Sequence, residues 1–593
     1  MARLYVLLIF GLIMLSGSAG TNPQQPHQLV KTQYVANLAR FDSAIGVFRQ
    51  AVQTNRPANE VQRTFRQMRL AYKPVECLTE FYFPGSAKQL NGPPVPDAEF
   101  DDGRWVAWPP YGLQVIEALV FPLDPAQKTT LNAELTRLQE TTRSLRNVVN
   151  YNQLSDAHVF EAMRLEVFRI ITLGITGFDS PIDTNSLPEA AVSLETMQAM
   201  VTQYPIAAKN PTLATQLNQA FGLAIRRLQA GKFVPFDRLT FIRDYAYPLS
   251  RLLTDAQQTM GLTLPADKRQ LKQSARTLSD PGAFEPMAFA RYDTPAPTPD
   301  RVALGKMLFS NPVLSGDGKR TCQTCHQPER GFTDGEPTAL HINGKTRISR
   351  NTPTLLNAGL QSFQFIDSRV FFLEDQINDV VHNPDEMGGS IVKAVSVLQK
   401  DTDYQARFKK AYPDSLTEAN LRNALASYVR SLTPAASRVD RYLRADEPKA
   451  LLTADEKLGF NVFMGKGKCG TCHYFPIFNG TVPPAYIKSE SEIIGTPATA
   501  AGKKLSPDKG RAGFTALPMH ENAFKTPTLR GVGKTGPYMH NGAYQTLEQV
   551  VDFYNKGGGK GLGFGPENQT LPFDKLNLTT PEKRALVAFM KAL

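Results

Sequence analysis

Two short cysteine-histidine motifs constrain this chain more than any other feature. Residues Cys322–His326 and Cys469–His473 each read C-x-x-C-H, the pattern that attaches a c-type haem. The two thiols bond covalently to the haem vinyl groups, and the adjacent histidine is an iron ligand. The motifs lie 147 residues apart, so each can belong to its own small domain. The pair therefore predicts two covalent c-type haems and electron movement between them.

The cysteine inventory supports this interpretation. The chain has five cysteines, and four of them lie in the two motifs. The alternatives are a pair of C-x-x-C disulfides or one zinc site built from both pairs. A zinc site would use four thiolates, or three thiolates and one imidazole, and would leave the two histidines without a common role. The fifth cysteine, Cys77, has no spare partner and is interpreted as a small buried hydrophobe.

The N-terminus has the pattern of a secretory signal peptide. Arg3 is followed by an apolar run over residues 4–15 and by small residues over 16–20. The apolar run is short for a membrane span, and no later stretch is long enough, so we expect no stable membrane insertion. Residues 1–20 are therefore predicted to direct export to the periplasm. Export agrees with the haems, because c-type haem is attached outside the bacterial cytoplasm.

The charge of the chain excludes one class of partner and suggests another. The formal net charge is +11, and Lys and Arg are scattered without a dense basic block. Nucleic-acid binding is therefore not expected. A mild positive field could steer an acidic redox partner, although a merely solvated surface is the simpler interpretation.

The pattern of apolar residues predicts a mainly α fold. We expect a helical accessory domain over residues 21–285, a proline-rich linker over 286–300, and two cytochrome c-like helical domains over 301–445 and 446–593, each with one covalent haem. In the accessory domain, three- and four-residue spacings predict helices at Val30–Val52, Glu60–Tyr72, Pro125–Val149, His158–Thr172 and Thr212–Ala230.

Other segments of the chain carry local signals. A turn-rich segment is expected at Pro84–Pro110, which contains both tryptophans, and a loop is expected at glycine-rich Lys556–Gly565. Helices are expected to begin near Arg301 and Thr453, ahead of the two motifs, and at Pro581 near the C-terminus.

From about residue 297 onward, the chain resembles the bacterial dihaem cytochrome c peroxidases and the related MauG-type enzymes. Besides the motifs, six blocks share the order and spacing of that family. They are Leu304–Phe309, Arg350–Thr354, Phe365–Arg369, Asp385–Met387, Lys525–Arg530 and Pro537–Gly542. The resemblance implies that the haem on Cys322–His326 is the peroxide site and that the haem on Cys469–His473 relays electrons.

The resemblance also implies roles for residues near the first haem. A glutamate acts there as acid and base while the peroxide bond breaks, and a glutamine assists; by position these are Glu386 and Gln376. Some members of the family carry a removable histidine ligand in the loop after the motif. His341 lies in that loop, two residues out of register, and is either a gating ligand of the iron or an exposed loop histidine.

The chain departs from the usual peroxidase pattern at the second haem. A methionine ligand is usual seventeen residues after Pro537, but that position is Tyr554, as in MauG-type enzymes. A phenolate ligand favours ferric and higher oxidation states, whereas a thioether raises the potential. The alternative is that Tyr554 only packs beside Phe553, with Met539 or water on the iron.

A second departure lies between the expected haem sites. Relatives carry a tryptophan between the haems in the block that corresponds to Phe365–Arg369, and this chain carries Ile366. An aliphatic side chain cannot be oxidised at accessible potentials. Electrons would have to tunnel directly or use nearby aromatic residues such as Phe363, Phe365 or Tyr538. This departure weakens the prediction of long-range substrate oxidation more than the prediction of peroxide turnover.

The resemblance further implies one calcium ion between the haem domains. Its ligands would be the side chain of Asn351 and the backbone carbonyls of Thr535 and Pro537, a set of oxygen donors that suits calcium. Ordinary turn chemistry is the alternative. His540 would then support the haem propionates as a neighbour rather than bind iron.

The accessory domain carries one faint resemblance of its own. Tyr111–Glu117 resembles the Gly-x-His-x-x-Glu signature of imelysin-like periplasmic helical domains, with Gln114 in place of the histidine. Metal binding is therefore not expected there, and Glu76 and Glu117 are interpreted as structural.

Together these observations predict a periplasmic dihaem peroxidase that reduces hydrogen peroxide with electrons from a small cytochrome c or cupredoxin. A homodimer is one expected assembly of this protein. One alternative is a MauG-type oxidase that uses peroxide to modify a protein or small substrate. A non-enzymatic alternative is a dihaem electron carrier or sensor.

Overall fold

The computed structural model describes residues 25–445 and 451–593, except for residues 266, 268 and 573 and the side chains of 99–101. The predicted signal peptide at 1–20 lies outside the described residues. The described chain is mainly helical, which confirms the predicted fold class. None of its described helices combines the length and the hydropathy needed to cross a bilayer.

The accessory region is a layered helical assembly. Its helices are α1 (Pro26–Gln53), α2 (Ala58–Tyr82), α3 (Pro84–Asn91), α4 (Leu113–Val120), α5 (Lys128–Tyr151), α6 (Asp156–Thr172), α7 (Ser186–Val201), α8 (Ile206–Lys209), α9 (Pro211–Gln229), α10 (Arg238–Phe241) and α11 (Tyr247–Thr259). The five helices predicted here are all present, with boundaries shifted by a few residues or, for α2, extended by ten at the C-terminal end.

The segment Pro84–Pro110 is more regular than the sequence suggested. It holds α3 and an antiparallel hairpin of β1 (Asp97–Asp101) and β2 (Arg104–Trp108). The two residues between the strands, Asp102 and Gly103, both have positive φ, at 45° and 74°. This is the geometry that two-residue hairpins favour, and the Asp-Gly pair was the sequence signal for it.

The two motif regions are smaller helical units. The first contains α12 (Pro299–Phe309), α13 (Cys322–Cys325), α14 (Leu373–His382), α15 (Ile391–Leu398), α16 (Thr402–Ala411) and α17 (Glu418–Arg430). The second contains α18 (Arg438–Arg444), α19 (Ala454–Phe463), β3 (Ser491–Glu492), α20 (Ala512–Thr515), β4 (Phe524–Lys525), α21 (Leu547–Asn555), α22 (Gly558–Gly561) and α23 (Thr580–Lys591). The prediction of a loop at Lys556–Gly565 was therefore wrong in part. Helix α22 forms within this segment, where the backbone of Gly559 packs against Gly495.

Each motif region is built on one close helix crossing. Helix α12 meets α17 at Gly305, where an added Cβ would lie 1.9 Å from the carbonyl oxygen of Ala424. Helix α19 meets α23 at Gly459, where the same atom would lie 2.0 Å from the carbonyl oxygen of Ala585. Only glycine allows two helix backbones to approach this closely. The two regions thus share one architecture, as expected for two cytochrome c-like units.

The accessory helices share a hydrophobic core with the second motif region. One cluster of buried apolar side chains runs from Val30 through the accessory helices and on to Ala592, whereas the first motif region has a separate cluster between Leu304 and Tyr428. Asn461 joins the shared parts: its Oδ1 accepts from the Leu239 amide and its Nδ2 donates to Asp237 Oδ1, both at 3.0 Å. The accessory region is therefore packed onto the second haem domain as one body.

We expect Asn461→Ala to destabilise this shared body by about 1–3 kcal/mol, because the variant leaves the Leu239 amide without its partner and removes one donor to Asp237 Oδ1. Urea unfolding followed by tryptophan fluorescence measures it, since both tryptophans lie in the accessory region. The matched control is Asn218→Ala, an exposed asparagine of α9, which should change stability by no more than about 0.5 kcal/mol. Equal effects of the two variants would contradict the shared-core interpretation.

Candidate active site

The first motif forms a single helical turn with its histidine at the C-terminal end. Thr321 and Thr324 form a capping box around α13, and His326 follows the helix. Nδ1 of His326 lies 3.0 Å from the Phe332 carbonyl oxygen. Since a carbonyl only accepts, Nδ1 carries the proton and Nε2 keeps its lone pair. Burial lowers the pKa of His326, so the neutral ring is favoured.

The second motif repeats this arrangement. Nδ1 of His473 lies 3.0 Å from the Pro527 carbonyl oxygen and 3.4 Å from that of Phe478. Burial lowers the pKa of His473 to about 4. All four motif cysteines are free thiols, so the disulfide alternative finds no support. In both motifs a neutral imidazole therefore presents Nε2 beside two unpaired thiols.

Glu386 lies in a tight turn after α14, on the side of the first motif. Its Oε1 accepts a hydrogen bond from Asn383 Nδ2 at 2.9 Å. Burial raises the pKa of Glu386, and the charge of Arg369 opposes that shift. The Glu386 carboxylate in turn helps to raise the pKa of the Cys325 thiol, which places this carboxyl near the attachment site. The structure thus brings Glu386 and the first motif together.

Arg320 fixes the turn that carries Glu386. Its guanidinium donates to the backbone carbonyls of Leu340, His341 and Glu386, each at 2.9 Å. The sequence analysis assigned Arg320 no role, although it stands two residues before Cys322. Its position next to the motif was the available signal. Arg320 therefore links the motif loop to the carboxylate turn.

The other two residues predicted for this site have different environments. Gln376 is half-buried on α14, the helix that leads into the Glu386 turn. His341 has both ring nitrogens engaged: Nδ1 accepts from the Asn343 amide at 3.0 Å, and Nε2 lies 3.1 Å from Asp385 Oδ1. In this conformation both nitrogens of His341 are engaged, so a ligand role would require at least the hydrogen bond on the ligating nitrogen to break.

Tyr554 lies on the last turn of α21 and faces the second motif. Burial raises the pKa of its phenol, and the nearby Cys472 and Cys469 thiols raise it further. Its ring contacts Phe553 with centroids 5.5 Å apart. A half-buried residue, Glu492, shares this environment: Thr570 Oγ1 donates to its carboxyl at 2.5 Å, and desolvation raises its pKa to about 7. Glu492 was missed because a two-residue strand leaves no sequence pattern.

The two motif regions meet along a seam formed by residues 350–369 and 489–540. Arg350 makes a paired hydrogen bond to Asp508 at 2.7 and 2.9 Å. The amide of Lys525 donates to the Ile366 carbonyl at 2.7 Å. Ile366 therefore lies in the contact between the two regions, where the sequence comparison expected it.

Buried cations line this seam. The Lys525 ammonium donates to the Phe363 carbonyl at 3.0 Å, and burial lowers its pKa to about 7. The Arg511 guanidinium lies between the rings of Trp105 and Phe363, at 5.0 and 5.1 Å from their centroids. Among the described residues, no carboxylate forms an ion pair with either cation. Arg511 and Lys525 are thus suited to an anionic partner.

The residues expected to bind calcium lie at the same seam. The Asn351 amide donates to the His540 carbonyl at 2.7 Å, and its Nδ2 donates to the carbonyls of Glu336 and Pro337. Thr535 belongs to a turn that packs on Gly331. Within the described ranges, no group of three or more His, Cys, Asp or Glu side chains could hold a metal. A cation site here would therefore rest on amide and carbonyl oxygens.

The imelysin-like segment of the accessory region has a structural explanation. Gln114 donates to the Asn91 carbonyl at 3.0 Å, and Glu117 accepts from Ser180 and from the Asp183 amide. Nearby, the buried Lys73 ammonium lies 2.7 Å from Glu76 and 2.9 Å from Asp179. The carboxylates of this cluster are thus neutralised by basic side chains of the protein. This agrees with the structural interpretation of Glu76 and Glu117.

Comparisons with known proteins agree with the two-motif site. The family model for di-haem cytochrome c peroxidase matches residues 299–448. A cytochrome-c peroxidase from Denitromonas iodatirespirans is 33% identical over 310 residues, which is 50% of this chain and 81% of that protein. The methylamine utilization protein MauG of Methylorubrum extorquens is 35% identical over 301 residues, covering 50% and 78%.

The chain belongs to the dihaem cytochrome c peroxidase family. A cytochrome c551 peroxidase from Nitrosomonas europaea is also 35% identical, over 46% of this chain and 77% of that protein. Among solved structures, a MauG-like protein associated with microbial copper homeostasis is 27% identical, with a TM-score of 0.45 over 51% of this chain and 91% of that one. All of these matches cover about half of this chain, and the family model falls within its C-terminal half.

The residues present fit the two c-type haems of this family. Each motif offers two free thiols and one imidazole whose Nδ1 is tied to a carbonyl, which leaves Nε2 for iron. Lys525 and Arg511 are buried in the seam without a carboxylate partner, and the propionates of a haem would supply the missing negative charge. Cys322, Cys325 and His326 would hold one haem, and Cys469, Cys472 and His473 the other.

The Asp440–Arg530 ion pair holds the second motif region together. Arg530 donates to both oxygens of Asp440 at 2.6 and 2.8 Å and to the Pro476 carbonyl at 2.7 Å. Both side chains are buried, and the arginine keeps the pKa of Asp440 below its ordinary value despite burial. This pair anchors the segment after Lys525 to the loop that follows His473.

We expect Arg530→Met to cost about 3–5 kcal/mol at neutral pH, because it leaves a buried carboxylate unpaired. The lowered pKa of Asp440 stabilises the wild-type fold above the ordinary carboxyl pKa, and this stabilisation is lost as the pH falls through the lowered value. Urea unfolding at pH 7 and at acidic pH should therefore show a difference that shrinks in acid. The control Arg584→Met, which breaks an exposed pair with Asp455, should leave the urea midpoint at the wild-type value at both pH values.

Proposed function

We propose that this protein is a periplasmic dihaem peroxidase that reduces hydrogen peroxide to water with electrons from a small redox protein. The observation that carries the proposal is the half-buried Glu386 carboxyl beside the first motif, in a member of the peroxidase family. Each turnover consumes one peroxide, two electrons and two protons and releases two waters. The electron donor would be a small cytochrome c or a cupredoxin.

The chemistry divides between the cofactor and the protein. When bound at Cys322–His326, the haem supplies a redox-active iron that can bind and polarise a peroxide oxygen. Glu386 accepts the proton from one peroxide oxygen and delivers it to the other, which leaves as water. Its raised pKa brings the carboxyl closer to neutral pH, where a single group can both take up and release a proton.

The remaining residues near the first haem have supporting roles in this proposal. Gln376, on the helix before the Glu386 turn, orients the peroxide by hydrogen bonding. Arg320 positions the turn itself through its three carbonyl contacts. His341 would act as a removable ligand only after the hydrogen bond on its ligating nitrogen, to Asn343 or to Asp385, opens. A calcium ion on Asn351, Thr535 and Pro537 would bind the two motif regions across the seam.

Tyr554 is proposed as the second protein ligand of the haem on Cys469–His473. Its half-buried phenol lies near both motif thiols, which supports this role. A phenolate on the iron would give this haem a lower potential than a thioether would. The two haems would then differ in ligation, with the open position at Cys322–His326.

We expect Glu386→Gln to lower kcat for peroxide by about 100- to 10,000-fold, because glutamine keeps the shape but cannot transfer the proton. Steady-state peroxide reduction with a reduced small cytochrome measures it. The control is Glu329→Gln, an exposed glutamate three residues after His326, which should turn over at the wild-type rate. Full activity in Glu386→Gln, or none in the wild type, would reject the proposed function.

We expect Tyr554→Phe to change the resting optical and paramagnetic resonance spectra of one haem and to raise its midpoint potential, since the phenolate is lost. The control Tyr544→Phe removes a neighbouring hydroxyl that is not proposed to bind iron, and it should leave both spectra unchanged. Identical spectra for wild type and Tyr554→Phe would exclude the tyrosine as a ligand.

The position of Tyr554 also favours a second candidate function. A MauG-type enzyme would use peroxide to oxidise a protein or small substrate. Ile366 in the seam weakens this candidate, because it offers no oxidisable side chain between the two regions. Mass spectrometry of candidate protein substrates after peroxide treatment would distinguish the two functions, as only the second leaves a modified product. A homodimer is a further expectation, which mass photometry of the loaded protein tests.

A further inference from the structure

A surface pocket of about 320 Å³ lies beside the seam. It is formed by residues 288–290 of the predicted linker, residues 362–372 of the first motif region and residues 487–488 of the second. Its volume is at the lower end of the range for small-molecule sites, and it would accept a one- or two-ring compound. The pocket joins three parts of the chain that are distant in sequence.

The walls of this pocket are aromatic. Phe289, Phe363, Phe371 and Phe372 line it. The Phe363 and Phe371 rings lie 5.1 Å apart and are tilted by 49°, and Phe371 is 49% exposed. Phe289, Phe363 and Phe372 are half-buried, so each leaves part of its ring at the pocket surface beside the exposed Phe371. Their faces are suited to an aromatic ring.

Two polar groups complete the lining. Ser362 contributes its hydroxyl, which accepts from the Ser489 amide at 2.8 Å and keeps its own proton to donate. Lys488 stands at the rim, 2.8 Å from Asp97. An apolar cleft with a few polar groups selects a ligand of the same character. A phenol, with one hydroxyl on an aromatic ring, matches this lining better than a hydrocarbon or a sugar.

One wall of the pocket belongs to the seam itself. The Phe363 carbonyl accepts from the buried Lys525 ammonium, and the Phe363 ring contacts the Arg511 guanidinium. Three residues later, the Ile366 carbonyl accepts from the Lys525 amide. A molecule held against Phe363 would therefore lie next to the segment that joins the two haem-bearing regions.

The accessory region covers part of the surface beside the second motif, away from this pocket. The Lys468 ammonium, next to Cys469, donates to the Pro181 carbonyl at 3.2 Å, and the Tyr474 ring, next to His473, lies 6.3 Å from the Phe178 ring. The backbone of Gly465 abuts the buried Arg238 guanidinium. These contacts cover part of the surface beside the motif, so a small reductant would have an advantage at the open pocket.

We propose that this pocket binds an electron-rich phenol that serves as a reductant for peroxide, in addition to a protein donor. This inference rests on the proposed peroxidase function. Two phenols would each lose the hydroxyl proton and one electron, the O–O bond of one peroxide would break, and two waters and two phenoxyl radicals would form. The atoms and electrons balance without any further reactant.

The test uses the full-length dihaem protein with 4-methoxyphenol as the probe. Calorimetry without peroxide measures the Kd of the resting protein, and steady-state kinetics with peroxide measure the KM for the phenol. Phe371→Ala removes one aromatic wall and should raise both constants about 3- to 10-fold. Phe514→Ala is the matched control, since Phe514 is 50% exposed and lies outside the pocket, and it should change neither constant.

A second variant distinguishes loss of the pocket from a general loss of structure. Ala288→Trp fills the pocket without removing a wall and should raise the same two constants, while the KM for a reduced small cytochrome stays at the wild-type value. Absent phenol binding, or constants in both pocket variants equal to those of Phe514→Ala, would overturn the inference. So would weaker phenol binding without any change in phenol turnover.

Comparing the two electron donors separates failure of the phenol inference from failure of the peroxidase function. If the cytochrome supports peroxide reduction and the phenol does not, the phenol inference is wrong and the peroxidase function stands. If neither donor supports peroxide reduction, the peroxidase function itself is wrong.

Discussion

In each motif the histidine Nδ1 donates a hydrogen bond to a backbone carbonyl, and this contact holds the imidazole ring on which the rest of each site depends. The accepting carbonyls come from Phe332 in the first region and Pro527 in the second. The bond fixes the tautomer, so that Nε2 keeps its lone pair for iron. The elements around each motif then pack through one glycine-mediated helix crossing in each region.

The two sites differ in what surrounds this common frame. The first has a carboxyl, Glu386, held in a turn by Arg320 and raised in pKa by burial. The second has the half-buried residues Tyr554 and Glu492, whose pKa values are also raised. A proton-transfer group beside one haem and a candidate anionic ligand beside the other suit a site for chemistry and a site for electron storage. The asymmetry is therefore one of side chains and not of fold.

The accessory region is more than an appended domain. Its core is continuous with that of the second motif region, and its loops contact the residues on either side of Cys469–His473. Its hairpin adds Trp105 to the buried Arg511 at the seam. These contacts cover one side of the second motif and leave the aromatic pocket beside Phe363 open. The region thus restricts where an electron donor can act.

The sequence by itself determined the haem motifs, the family, the helical class and the approximate bounds of helices with regular apolar spacing, such as α1 and α6. These depend on local chemistry and periodicity, which a linear pattern carries. Tertiary structure alone decided that the accessory core merges with the second region, that Arg320 supports Glu386, that Glu492 lies near Tyr554, and that Lys525 and Arg511 are buried without a carboxylate. Those features depend on which distant segments pack together, and a buried cation in a loop has the same sequence pattern as an exposed one.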